Sequence, residues 1–259
     1  MIVFARTLAV ACLCLSPGAA MAQASDQWQF TIAPYGWGTA IEGHVAHARL
    51  PLDVHASLSF GDVLDHLDFG AMGAFEARRG QHGLLVDGLY SKMSTTMAAP
   101  VPGVPGASFP VRVKGRTMTA LLAYEYRVVD TDYAHVDLLA GARVWNSRTR
   151  LAYSLPIPPP APLPQAYSGE QTETWVDAQV GVKGRRSFDS GFFVGGWVLA
   201  GAGESDLSTD AMVMAGYEIS DRLSLAAGYR AVSTDFETSS GFRFDTTLQG
   251  PGIGLEYHF

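Results

Sequence analysis

Apolar and polar residues alternate with a period of two along most of the chain after residue 27, which predicts strands rather than helices. Each predicted strand is long enough to cross a bilayer at a tilt, which takes about 9–11 residues. The pattern predicts about ten strands, with eight or twelve as alternatives: Trp28–Thr39, Asp68–Arg78, Gly83–Ser94, Lys114–Arg127, Ala134–Arg148, Thr172–Arg186, Gly191–Gly203, Asp210–Ile219, Leu223–Phe236 and Phe244–Phe259.

The connections between these strands alternate in length. Short turns such as Asp130–Asp132 follow the even-numbered strands, whereas longer or less regular stretches follow the odd-numbered ones. The three longest are Ala40–Leu67, Thr95–Val113 and Thr149–Gln171. Short turns at one end and long loops at the other are typical of bacterial membrane barrels. We therefore predict an all-β fold, a closed antiparallel transmembrane β-barrel.

The first long loop contains one segment with a helical pattern. Within Leu58–Leu67, the apolar residues Val63, Leu64 and Leu67 share one helical face, so we predict a short helix at the barrel mouth. An alternative for this stretch is a divalent-cation site formed by Asp62, Asp65, His66 and Asp68. Their spacing matches no calcium-loop pattern, and we predict no metal site.

Two of the long loops are rich in proline. They contain Ala99–Pro105 and Leu155–Pro164. Since proline cannot donate to a strand ladder, we expect neither run to be central strand. Each is interpreted as a surface loop, with a stiff extended arm for a partner groove as the alternative.

The alternation also predicts which strand face meets lipid. In the sixth strand Val176, Val180 and Val182 share one face, and Asp177 and Lys183 lie on the other. If the apolar faces point outward, the charged faces line the lumen, and we predict these lumen charges: Glu76, Arg78, Asp87, Glu125, Arg127, Asp137, Arg143, Asp177, Lys183, Glu218, Arg230 and Glu256.

These inward charges allow two interpretations of the lumen. Both signs are interspersed, and an unpaired buried charge is costly, so we favour a largely filled interior held by salt bridges. The alternative is a narrow, acid-biased pore that passes small solutes or cations. A soluble lipocalin-like barrel with its apolar face inside is the structural alternative.

The two ends of the chain carry export features. One basic residue, an apolar run from Leu8 to Leu15 and the Ala20–Ala22 site predict a signal peptide, residues 1–22, cleaved after Ala22. Residues 23–259 would then form the barrel domain. At the other end Gly254, Tyr257 and Phe259 lie where such barrels carry the signal read by the barrel-assembly machinery, which we predict as a partner.

Composition narrows the chemistry. The chain has 18 Lys and Arg against 25 Asp and Glu, a net charge of −7, which argues against a nucleic-acid partner. Both cysteines, Cys12 and Cys14, lie in the predicted signal peptide, leaving no disulfide or thiolate metal site in the mature chain. A lipoprotein anchored through one of them is the weaker alternative. We predict no cofactor, and outer-membrane lipid and lipopolysaccharide as surroundings.

Histidines offer the only enzymatic hypothesis. Acyl chemistry would need a nucleophile beside a histidine oriented by an acid. His44, His47 and His55 lie in the first outer loop, but none belongs to a recognisable catalytic motif. An outer-membrane enzyme that modifies lipid or lipopolysaccharide is therefore kept as the alternative, and we predict no catalytic residues.

One stretch resembles a known family. The segments Ile32–Trp37, Val54–Leu67, Phe69–Arg78 and Gly83–Asp87 are similar to a widespread group of Gram-negative outer-membrane β-barrel proteins, loosely called porin-like. Members usually have a tryptophan where this chain has His82. The resemblance implies a barrel in the outer membrane, structural or narrow and porin-like, and it implies no catalytic residues.

Overall fold

The computed structural model describes residues 27–46, 53–101, 106, 108–154, 165–239 and 241–259. They form twelve strands and one helix: β1 (Gln29–Trp37), β2 (Ala40–Ala46), β3 (Asp53–Leu58), α1 (Phe60–His66), β4 (Leu67–Arg79), β5 (His82–Pro100), β6 (Ser108–Asp130), β7 (Ala134–Ser154), β8 (Ala166–Ser187), β9 (Phe192–Gly203), β10 (Leu207–Ser220), β11 (Leu223–Glu237) and β12 (Arg243–His258). No helix in these ranges is long and apolar enough to cross a membrane.

Ten of the strands close into an antiparallel barrel, as predicted. From β4 to β12 each strand pairs with the next one along the chain, and β1 pairs with both β4 and β12. Closure leaves every barrel strand with two neighbours, so the ladder has no open edge over the height of β1. The predicted signal peptide, residues 1–22, lies outside the described residues.

The first outer loop, Ala40–Leu67, was expected to be irregular, but the structure shows regular strands there. It contains the hairpin β2–β3, and β2 pairs with the outer half of β12, from Arg243 to Gln249. The inner half of β12, from Gly252 to His258, pairs with β1 instead. The physical reason is that β12 is longer than β1, so its outer half would otherwise present unpaired backbone groups.

The other long loops are shorter than predicted. β5 continues to Pro100 and β6 begins at Ser108, while β7 continues to Ser154 and β8 begins at Ala166. These extensions carry charges on their outward face, such as Arg112 on β6, which obscures the apolar alternation. The second proline run, 155–164, and residues 102–105 lie outside the described residues.

The predicted helix in the first outer loop is confirmed as α1. Its start is a reciprocal cap: Ser59 Oγ accepts from the Asp62 N–H at 3.3 Å, and the Asp62 carboxylate accepts from the Ser59 N–H at 3.0 Å. The Ser59 hydroxyl also donates to Asp62 Oδ2 at 2.6 Å, and this hydrogen bond, together with that from the Ser59 N–H, lowers the pKa of the Asp62 carboxyl below its ordinary value. The Asp62 carboxylate therefore serves as part of the N-terminal cap of α1.

The outward face of the barrel is apolar and exposed. Val180 is 63 % exposed, Val198 64 % and Val213 64 %, although each lies in the middle of a regular strand. Tyr124, Tyr126, Tyr217 and Tyr257 are also exposed, near the short turns. An apolar surface of this kind is suited to lipid rather than to water.

Phe259 lies at the seam where the barrel closes. Its N–H donates to Phe30 O at 2.9 Å, the Phe30 N–H donates to Phe259 O at 3.0 Å, and the two rings stack at 5.6 Å. Phe259→Ala should lower the yield of folded barrel several-fold, because the seam loses its aromatic contact. The chain is assembled in vitro by the purified barrel-assembly machinery. The yield is then measured by comparing the gel mobility of unheated and heated samples. Phe188→Ala, in an exposed turn, is the control; equal yields for both variants and wild type would contradict the prediction.

Candidate functional site in the lumen

The strand register places every one of the predicted lumen charges on the inward face of the barrel. Residues opposite each other in the ladder share a face, so the buried pairs Arg143–Asp177 and Leu85–Ala123 define the inward set. Two aromatic residues outside the predicted set of lumen residues, Tyr35 and Trp37, also face the lumen. They alternate with Ile32, Pro34 and Gly36, whose small or apolar character hides the difference between the faces.

Arg230 is the centre of a buried cluster halfway along the lumen. Its Nη2 lies 2.6 Å from Asp87 Oδ1 and 2.7 Å from Asp210 Oδ2. Asp210 also pairs with Arg143. We call Asp87, Arg143, Asp210 and Arg230 the middle ion layer. Its two cations balance its two anions, and all four side chains are at most 5 % exposed.

Aromatic side chains complete this layer. Tyr35 OH donates to Asp87 Oδ2 at 2.8 Å and accepts from Arg230 Nη1 at 2.7 Å. Trp197 Nε1 donates to Asp210 Oδ1 at 3.0 Å. The Arg230 guanidinium also lies 5.4 Å from the ring of Trp37. The layer is therefore a connected network in which each carboxylate has more than one donor, as a stable buried charge requires.

A second balanced cluster lies nearer the short turns. We call its members the lower ion layer: Glu76, Arg78, Glu125, Arg127, Asp137 and Lys183. Lys183 Nζ lies 2.6 Å from both Glu76 and Glu125, and Arg78 Nη2 lies 2.6 Å from Glu125 and 2.9 Å from Asp137. Arg127 Nε lies 2.9 Å from Asp137. Three cations and three carboxylates thus neutralise one another.

The carboxylates of the lower ion layer would also suit a metal ion by spacing alone. Oxygens of Glu76, Glu125 and Asp137 lie within 4.8 Å of one another. Lys183 and Arg78, however, already contact these oxygens at hydrogen-bond distance. The protein's own cations therefore supply the positive charge here.

The remaining predicted charges lie at other levels of the lumen. Arg185 joins Glu256 at 2.6 Å and Glu218 at 3.2 Å near the short-turn rim. Asp177 is fully buried, and its carboxylate accepts from the Ser205 N–H at 2.9 Å. Each predicted charge thus contacts a partner, but the charges divide among several levels rather than forming one site.

Sequence reasoning missed two charges that the pairing depends on. Asp210 was predicted only as the first residue of a strand, and Arg185 was not included among the predicted lumen charges. The signal was present: Asp210 has the same parity as Glu218 on β10, and Arg185 the same parity as Lys183 on β8. Extending the alternation to the strand ends finds both.

An aromatic layer lies on the outer side of the middle ion layer. Trp175 stacks on Phe236 with ring centres 4.3 Å apart and on Trp145 at 5.8 Å, and Phe244 packs against both indoles. Trp145 and Trp175 are 1 % and 0 % exposed. We call these four residues the aromatic layer.

Two cavities lie in the lumen of the described barrel. The lower cavity, about 330 Å³, is lined by Glu76, Lys183, Met212 and Arg230 among others. The upper cavity, about 750 Å³, is lined largely by apolar side chains and by α1. Tyr35 and Trp37 line both cavities, and Arg230 of the middle ion layer lines the lower one, so these side chains form the partition between the cavities.

The histidines of the enzymatic alternative lie on the outer hairpin. The register sets His44 opposite His55, and Asp245 of β12 opposite His44. The side chains of His44 and His55, and the whole of His47, lie outside the part of the chain that the structure describes. The lipid-modifying enzyme therefore stays a prediction.

Comparison with known proteins supports the fold. No protein-family model and no curated protein matches the chain. Among solved structures, the outer membrane protease OmpT from Escherichia coli matches with a TM-score of 0.57 at 11 % identity, covering 93 % of this chain and 99 % of OmpT. The translocator domain of the autotransporter NalP from Neisseria meningitidis gives a TM-score of 0.46 at 11 % identity over 90 % of this chain and 89 % of that domain. The OmpT match shows that the chain has the fold of outer-membrane β-barrels.

Proposed function

We propose that this chain is a structural barrel of the outer membrane whose lumen is closed, rather than an open porin. The observation that carries the proposal is the middle ion layer, in which two arginines and two aspartates pair in a buried network across the lumen. Such a layer blocks the lumen and leaves no free charge on it.

Charge balance favours closure over the narrow, acid-biased pore. A cation-selective pore would present hydrated, unpaired carboxylates along the lumen. Here the lower ion layer pairs three carboxylates with three cations, and the middle ion layer pairs two with two. Separating such buried pairs costs several kcal/mol, on the order of 3–5 for loss of one partner. For this reason we favour the closed lumen and keep the narrow pore as the second candidate.

An outer-membrane location is supported by the outward surface. The exposed valines and tyrosines of β6 to β10 form an apolar face that would be unfavourable in water. Insertion into lipid would cover this face, whereas in a soluble lipocalin-like barrel the same face would be exposed to water. The predicted signal peptide would deliver the chain to this membrane, and the assembly signal at Gly254, Tyr257 and Phe259 remains part of the proposal.

Lipopolysaccharide is the lipid partner that the outer wall favours. Toward the outer ends of β6 and β7 the outward positions hold Arg112, Lys114, Arg116, Arg148 and Arg150. Among the described residues, the acidic residue paired with them is Glu170, which lies 2.7 Å from Arg150 Nη2. The excess of basic groups beside an apolar surface is suited to lipid phosphates.

Planar-bilayer recording tests the closed lumen. Wild-type protein should show no stepwise conductance, because the middle ion layer and the ring of Trp37 separate the two cavities. Trp37→Ala should introduce small current steps by removing the ring that lines both cavities. Trp28→Ala, which truncates an indole that is 56 % exposed, is the matched control and should stay silent. Regular current steps from wild type would contradict the proposal.

A further inference from the structure

The upper cavity has a floor and a roof made of buried apolar residues. The floor is formed by Trp37, Leu89, Phe244 and Leu248, which belong to the same apolar cluster as the rest of the aromatic layer. The roof is formed by Val111 and Leu151, which pack in a second cluster with Val101, Phe109 and Tyr153 at the outer end of the barrel. Between them lies the space of about 750 Å³, within the range of about 300–1,000 Å³ typical of small-molecule sites.

The cavity wall is almost free of charge. Its lining, among the described residues, contains no carboxylate, lysine or arginine. The imidazole of His66 is the single basic group of the lining, and its Nδ1 lies 2.6 Å from Asp62 O. A charged or highly hydroxylated ligand would therefore lose hydration without gaining partners, which is costly.

The polar groups of the wall are mainly neutral hydroxyls. Ser91, Thr117 and Thr149 line the cavity from inward positions of β5, β6 and β7. Thr246 also belongs to the lining, but its Oγ1 is enclosed by protein atoms. The polar part of the wall is therefore suited to a neutral ligand rather than to a charged one.

The side of the cavity has a gap in the strand ladder, where α1 lies. Among the described residues β3 pairs only with β2, and β5 beyond Met93 pairs only with β6. The helix contacts β2, β3 and β5 and contributes Phe60, Val63 and Leu64 to the lining. Phe60 and Leu64 are 46 % and 56 % exposed. The wall of the cavity is therefore closed by a single two-turn helix rather than by paired strands.

We propose that the upper cavity binds a neutral small molecule that is mostly hydrocarbon. The occupant is a free solute rather than an acyl chain of the surrounding lipid. The volume and the uncharged, largely apolar lining select this class. The site goes beyond the closed-barrel function, because ligand binding above the partition requires no passage through it.

Gly115 offers a way to fill the cavity without disturbing the barrel. It lines the cavity on the inward face of β6, opposite Met93 and Thr149, and a Cβ placed on it would meet nothing within 4 Å. Gly115→Phe should therefore project a ring into the cavity. Gly88→Phe is the matched control, since Gly88 has the same free space but lies on the outward face of β5.

Tryptophan quenching measures binding in dioleoyl-phosphatidylcholine vesicles. The probe is 6-bromo-2-naphthol, a neutral aromatic whose bromine quenches nearby indoles such as Trp37. Wild type and Gly88→Phe should show a saturable quenching component with one probe per chain, on top of linear partitioning into lipid. Gly115→Phe should lose the saturable component while keeping the gel shift of a folded barrel.

Two results would overturn the site. Linear quenching alone in wild type would mean that the cavity takes no free solute, including the case in which a lipid acyl chain fills it. Saturable quenching that persists in Gly115→Phe would place the probe elsewhere.

Discussion

Arg230→Met is expected to lower the free energy of unfolding by about 3–5 kcal/mol, the usual cost of removing one partner from a buried ion pair. Methionine keeps much of the volume of the side chain, so the effect isolates the charge. Asp87 loses its only arginine and retains the Tyr35 hydroxyl, while Asp210 retains Arg143 and Trp197. The measurement is denaturant unfolding in phospholipid vesicles, followed by tryptophan fluorescence.

A second variant separates charge from packing. Adding Asp87→Asn to Arg230→Met removes the uncompensated carboxylate, and it should recover part of the lost stability. Arg150→Met is the control, because Arg150 is 57 % exposed in its pair with Glu170, and its unfolding midpoint should stay at the wild-type value. If Arg230→Met unfolded at the same midpoint as Arg150→Met, the middle ion layer would not stabilise the barrel.

Trp175→Ala is the second large effect, with an expected loss of about 3–5 kcal/mol, as for other buried tryptophans. The indole is fully buried and stacks on Phe236 and Trp145. Its Nε1 has no hydrogen-bond partner among the described residues, so the loss measures packing alone. The same vesicle unfolding experiment detects it, with the four other tryptophans as remaining fluorophores.

Two further variants, Trp175→Phe and Trp28→Ala, serve as comparisons for Trp175→Ala. Trp175→Phe retains an aromatic ring against Phe236 and should lose clearly less stability than Trp175→Ala. Trp28→Ala removes an indole that is 56 % exposed and should change stability little. A Trp175→Ala barrel as stable as Trp28→Ala would mean that the aromatic layer does not act as a packed core.

The two ion layers and the upper cavity lie at different levels along the axis of the barrel. Side chains of both ion layers line the lower cavity in the half near the short turns, and the upper cavity, lined by no carboxylate, lysine or arginine among the described residues, lies in the outer half. The proposed closed barrier and the proposed ligand site therefore occupy different parts of one lumen. Conductance recording and probe binding examine these two halves independently.

Much of the barrel wall was predictable because strand alternation is a local property. Val180 and Val198 on the outside and Asp177 and Lys183 on the inside follow directly from period two. The assignment failed where both faces look alike, as at Tyr35 and Trp37, and where charges occupy the outer face, as at Arg112. At those positions hydrophobicity does not distinguish lipid, lumen and solvent.

The sequence alone determined the fold class, the positions of the ten barrel strands, the helix α1 and the inward face of the charged residues, because each depends on neighbours along the chain. Only the tertiary structure decided which charges meet. Arg230 and Asp87 are 143 residues apart, and they pair because barrel closure brings β11 and β5 to the same level of the lumen. The upper cavity depends likewise on the β2–β3 hairpin joining β12, a pairing determined by strand lengths and register rather than by any local pattern.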